Sequence, residues 1–111
     1  MLQIQIGAQR PAGADDVLCR AVLGWRPGMT QDQIWTVSRG VWRFSPSRVL
    51  AQDEVQIVNL EGTVVAVAAI IGVAGHGERF AIDGRLLRDD PRVGRPTPWP
   101  HRSRNPVNYV A

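Results

Sequence analysis

Alternation with period two opens the chain. In LQIQI (2–6), Leu2, Ile4 and Ile6 fall on one side and Gln3 and Gln5 on the other, which predicts a strand with one buried face. Pro11 and Gly13 break it. Between Ala14 and Leu23 the spacing changes: Val17, Leu18, Ala21 and Val22 fall at i, i+1, i+4 and i+5, predicting a first helix with Asp15 and Asp16 at the positive end of its dipole. Gly24 and Pro27 end it. Thr30 with Gln33 three positions on is a capping-box pattern, so a second short helix is predicted over 31–38, stopped at Gly40.

From Val41 the period returns to two, with Trp42 and Phe44 on one face and Val41, Arg43 and Ser45 on the other. Pro46 ends that strand, and 46–51 fits one helical turn. Residues 54–60 and 63–71 read as strands joined by a tight turn at Glu61-Gly62. GVAGHG (72–77) reads as a flexible loop, 78–82 as a third core strand ending at Asp83-Gly84, 85–104 as irregular and 106–110 as a closing strand. No repeat or linker divides the chain, so residues 1–111 are expected to form a single α+β domain. It would have five or six mixed and antiparallel strands and two flanking helices. Such a sheet must cover or close its edges, and a small, partly open pseudo-barrel does so at this length.

With 44% hydrophobic and 21% charged residues, the composition is that of an ordinary folded domain and not of a disordered one. The longest apolar run, residues 63–73, falls short of the ~20 residues a membrane helix needs. No basic segment precedes an apolar one at the start, so no signal peptide is expected and no membrane partner. The single cysteine, Cys19, cannot form an internal disulfide, which fits a reducing cytoplasm. On the first predicted helix it reads as a small core residue.

Charge narrows the chemistry. All 13 basic side chains are arginine, and the net charge is +3. Without lysine there is no P-loop ATPase and no Schiff-base enzyme. Arginine, however, offers a planar fork for phosphate and base edges. From Pro91 onward Arg92, Arg95, Arg102, Arg104 and His101 occur with no acid at all, the pattern of an anion-binding face.

Catalytic signatures are missing. GVAGHG lacks the lysine of a phosphate loop and leads into a strand, not a helix. Cys19, His76 and His101 have no zinc-ligand spacing, and Asp89-Asp90-Pro91 reads as a turn, so no cofactor or metal is expected. Trp35 and Trp42 read mainly as core. Trp99, in TPWPHR, stands beside arginines on a proline-stiffened loop, either as a loop anchor or as a stacking platform for an unpaired base. Asn105, before Pro106, is either a turn former or a reader of a base edge.

GVWRFSPSR, a strand–Glu-Gly–strand hairpin, a glycine-rich stretch, a strand into Asp-Gly and then RNPVNYV together resemble a PUA-like module of the PUA/EVE/ASCH group, over about residues 35–110. The resemblance is clearest at Gly40, Trp42, Arg43, Ser45, Arg48, Asn105 and Pro106. It implies a pseudo-barrel that binds RNA, or DNA with a modified or flipped base, in a cleft between sheet and helix. On this reading the protein is a non-catalytic nucleic-acid-binding module. Arg39, Arg43, Arg48, Arg102 and Arg104 would meet phosphates, Trp42 or Trp99 would stack on a base, and Ser45 and Asn105 would supply polar readout. Two alternatives stand beside it: a small metal-independent ribonuclease using His76 or His101, and a protein-interaction module for an acidic partner.

Overall fold

The computed structural model describes residues 1–110. Its centre is the alternating segment predicted at the start. β1 (Leu2–Gln5) runs parallel to β4 (Glu54–Val58) and antiparallel to β7 (Val107–Tyr109), with Gln3 opposite both Gln56 and Asn108. β4 pairs antiparallel with β5 (Val64–His76), which forms a hairpin with β6 (Arg79–Leu86). The result is a mixed five-stranded sheet in the order β6-β5-β4-β1-β7. A separate two-stranded ribbon pairs β2 (Arg10–Pro11) with β3 (Val22–Leu23).

Parallel β1 and β4 require a long crossover, and that crossover carries the ribbon and both helices. α1 (Gln31–Ser38) begins with the predicted capping box: Thr30 Oγ1 accepts from the Gln33 N–H at 3.2 Å while Gln33 Oε1 accepts from the Thr30 N–H at 2.9 Å. α2 (Pro46–Leu50) starts with Ser45 at its N-cap and Pro46 in the first turn, where a missing N–H costs nothing. Ile34 and Val37 of α1 and Val49 of α2 pack on Leu2, Ile4, Val55 and Ile57 of the sheet. Each fully buried aliphatic side chain contributes roughly 1.5–3 kcal/mol through removal from water.

The opposite face of the sheet is covered by irregular chain. Val58, Val64 and Val67 form a small cluster there, closed by Leu87 and Val93. Beside it the buried amides of Gln3 and Gln56 lie on neighbouring strands, and only one segment reaches them. Gln56 Nε2 donates to Gln3 Oε1 at 2.6 Å and to Thr97 Oγ1 at 2.9 Å, and the Thr97 hydroxyl donates to Gln3 Oε1 at 2.7 Å. Gln3 Nε2 in turn donates to the Trp99 carbonyl at 3.0 Å.

Four expectations need correction. Residues 14–23 are not helical. Successive turns, with Asp16 N–H to Gly13 O and Cys19 N–H to Asp16 O, lead back into β3. An isolated segment this short is marginal as a helix, and pairing with Arg10–Pro11 satisfies its end instead. Cys19 is therefore exposed, not core, in the left-handed region at φ 55°. GVAGHG is a loop only at Gly77, in the turn at φ 68°; residues 72–76 are the end of β5, paired with β6 as far as His76 opposite Arg79. Nor does Asp83-Gly84 end β6: a Cβ at Gly84 would come within 2.8 Å of the Trp35 indole, so the glycine is there for close approach inside a strand. Among the described residues no helix is long and apolar enough to cross a membrane.

The hydroxyl of Thr97 joins both buried amides to the covering segment. Thr97→Val is expected to lower stability by about 1–3 kcal/mol in urea unfolding, because it strands buried donors and acceptors. Amide exchange should quicken at Trp99, whose N–H donates to Thr97 Oγ1 at 3.1 Å.

Candidate functional site

Chain order brings the ribbon, the α1 C-terminus and the start of β6 together around one charged side chain. Arg20 grips Asp16 with Nε to Oδ2 at 3.0 Å and Nη2 to Oδ1 at 2.9 Å, and its backbone N–H adds a third bond to Oδ2 at 2.8 Å. Nη1 turns the other way, to the carbonyls of Thr36 and Val37 at 3.4 Å and of Gly40. A cation thus sits against the last carbonyls of α1, where the helix dipole is negative. The pair is nearly buried, with side-chain exposures of 5% and 11%.

Above this pair lies a cleft of about 280 Å³. Gln5 and Gly7 of the β1 end, Arg10, Trp42, Arg79 and Pro106 are among the residues that line it, with Asp16 and Arg20 in its wall. Trp42 is fixed from both sides: its backbone pairs with Phe80, and its indole N–H donates to the Ser38 carbonyl at 2.7 Å. Phe80 stacks on Phe44, ring centroids 5.5 Å apart. Gly40 permits this approach, since a Cβ there would meet Ala81 at 2.8 Å. The strand predicted over 41–45 does not form and reduces to one isolated bridge, Trp42 to Phe80, but its facing is kept, with Trp42 and Phe44 packed on the core and Arg43 and Ser45 exposed.

Arg10 and Arg79 have no acidic partner among the described residues; Arg79 donates only to the Val41 carbonyl, at 3.4 Å. Asp16, the one carboxylate lining the cleft, is already neutralised by Arg20. The cleft therefore has in its lining two guanidinium groups without acidic partners among the described residues, together with Trp42.

The residues singled out from sequence fall into two groups. Arg39, Arg43 and Arg48 each have a partner: Arg39 contacts the Ile82 carbonyl at 3.1 Å and Asp83 at 3.4 Å, Arg43 pairs with Glu78 at 3.1 Å, and Arg48 lies 3.8 Å over the Tyr109 ring. Ser45 accepts the Arg48 N–H as the helix cap. Of this group only Trp42 lines the cleft. The second group sits on the covering segment. Trp99 is held by its backbone, Arg102 and Arg104 are exposed without acidic partners among the described residues, and Asn105 Oδ1 accepts from the Val107 N–H at 3.0 Å as a turn former. Pro106, next along the chain, joins this segment to the cleft. His101 lies between Gln3 Nε2 at 3.4 Å and the Asn105 carbonyl at 2.7 Å, which fits a proton on Nε2. Neither His101 nor His76 lines the cleft. Arg10, Arg20 and Arg79 had no mark in the sequence, because the cleft is assembled from five separate segments.

Arg20 holds the Asp16 carboxyl down at about 2, from 3.8, chiefly through its side-chain hydrogen bonds. A carboxyl lowered on folding adds stability above its unfolded value, and that contribution is lost as pH falls from about 4 through about 2. Asp16→Asn is expected to cost about 1–2 kcal/mol at neutral pH, after allowance for solvent screening. The deficit should shrink between pH 4 and pH 2, measured by urea unfolding at each pH. Comparison with protein-family models, with curated proteins and with solved structures finds no match to this chain.

Proposed function

We propose that the protein is a non-catalytic nucleic-acid-binding module whose cleft takes an unpaired base of RNA or DNA. The observation that carries this reading is the meeting of Trp42 with Arg10 and Arg79, while the cleft's only carboxylate is silenced by Arg20. A π-face beside unpaired guanidinium groups suits a base and its flanking phosphates, and arginine adds a fork that lysine cannot. The exposed Arg102 and Arg104, reached through Pro106, extend the positive surface beyond the cleft.

The likeness to PUA-like modules supports the same reading. Trp42 on the β6 side and Gln5 with Pro106 on the β1–β7 side line one cleft, as the two lips of a curled, partly open pseudo-barrel would. An exposed free thiol at Cys19 suits a reducing compartment such as the cytoplasm.

Fluorescence anisotropy with labelled single strands of about ten nucleotides, RNA and DNA, tests the proposal across a salt series. Binding should weaken steeply as salt rises, because neutralised phosphates release counterions. Arg10→Ala with Arg79→Ala is expected to flatten the log–log salt dependence by about 0.7 for each arginine removed. Binding indifferent to salt, or unchanged in the double variant, would falsify this assignment.

A further inference from the structure

A second cavity, of about 410 Å³, adjoins the cleft: both are lined by Ile6 and Gly7. Its other walls include Gln9, Trp25, Arg26, Asn59, Leu60 and Glu61. Trp25 is fixed by its backbone, which pairs with Gly7 and Gln9 through bonds of 2.8 and 2.9 Å, and its ring is half-buried against the core. Leu60 beside it is 65% exposed, an apolar side chain with nothing over it. The Arg26 guanidinium donates only to the Pro27 carbonyl among the described residues, and to no acid, while its backbone N–H donates to the Met29 sulfur.

Gly7 stands between the two. A Cβ there would meet nothing within 4 Å, and its φ lies outside the left-handed region. The glycine is thus demanded neither by packing nor by backbone conformation, and the space above it is open.

Resting on the nucleic-acid reading above, we infer that the two cavities are consecutive base subsites for a single strand. One base stacks on Trp42, the next enters the cavity of Trp25, and the sugar-phosphate backbone crosses at Gly7. Arg10 and Arg26, one in each cavity's lining and both without acidic partners among the described residues, supply the charge that the connecting phosphate needs. Glu61, the second cavity's only carboxylate, faces a base edge in this arrangement, where an acceptor is useful, and not a phosphate.

The test compares a mononucleotide, a dinucleotide and a longer single strand, by competition against a labelled oligonucleotide, on the intact chain. The dinucleotide is expected to bind about tenfold more tightly than the mononucleotide, the increment of one added stack. Trp25→Ala should erase that gain and leave mononucleotide affinity unchanged; Gly7→Val, at a residue that lines both cavities, should bring the dinucleotide to the level of the mononucleotide measured on the same variant. Trp25→Phe, which keeps a ring, should retain most of it. Should Trp25→Ala fail to fold, as its core contacts allow, Gly7→Val decides. A dinucleotide no tighter than a mononucleotide, or a gain surviving Gly7→Val, overturns the second subsite while leaving the first intact. No binding of any strand removes both.

Discussion

Two glutamines in the middle of a sheet set the terms for everything built around them. Gln3 and Gln56 sit on adjacent parallel strands with essentially no exposure, and a buried amide without partners costs several kcal/mol. They satisfy each other only in part. Further bonds come from Thr97 and the Trp99 carbonyl, which draws the proline- and arginine-rich segment across this face, while Gln56 Oε1 stays without a partner among the described residues. Once there, it covers Val58, Val64 and Val67 and delivers the chain to β7. Pro106, at the entry to that strand, then becomes a wall of the cleft. A hydrogen-bonding requirement at the sheet centre thus shapes a site at the sheet's end.

Arginine plays three separate parts in this fold. Arg20 is structural: its fork clamps Asp16 and its remaining face covers helix carbonyls, a double task that suits a planar group with five donors. Arg92 does a similar job on the other side of the molecule, bridging Asp90 and Glu54. Arg39, Arg43 and Arg48 lie along 39–48 but spend their charge on local partners. Among the described residues Arg10, Arg26, Arg79, Arg85, Arg95, Arg102 and Arg104 are left with neither an acidic nor an aromatic partner.

Much of the fold could be read from pattern. The alternation of LQIQI, the capping box at Thr30 and Gln33, and the turn at Glu61-Gly62 each encode a local geometry that the tertiary structure keeps. Failures came where a residue's role is set at a distance. Val17 to Val22 has helical spacing, yet no sheet surface lies where that stripe would need one, and Val17 stays exposed. Gly72 and Gly84 look like loop residues, but one sits at a β-bulge and the other under an indole from α1. The cleft was harder still. Trp42 could be placed by period, whereas Arg10 and Arg79 become neighbours only through pairings separated by most of the chain. No local spacing records such an encounter.

The parallel pairing of β1 with β4 also bears on how the chain is made. β1 is synthesised before either neighbour, and at about 5–20 residues per second the ribosome needs several seconds more to supply β4. Its second partner, β7, comes almost at the end. During that interval LQIQI, uncharged and strongly β-forming, is a strand with two open edges. The segment at the middle of the finished sheet is therefore the one most exposed to wrong partners during birth. Early folding would need to keep it occupied or shielded until its neighbours arrive.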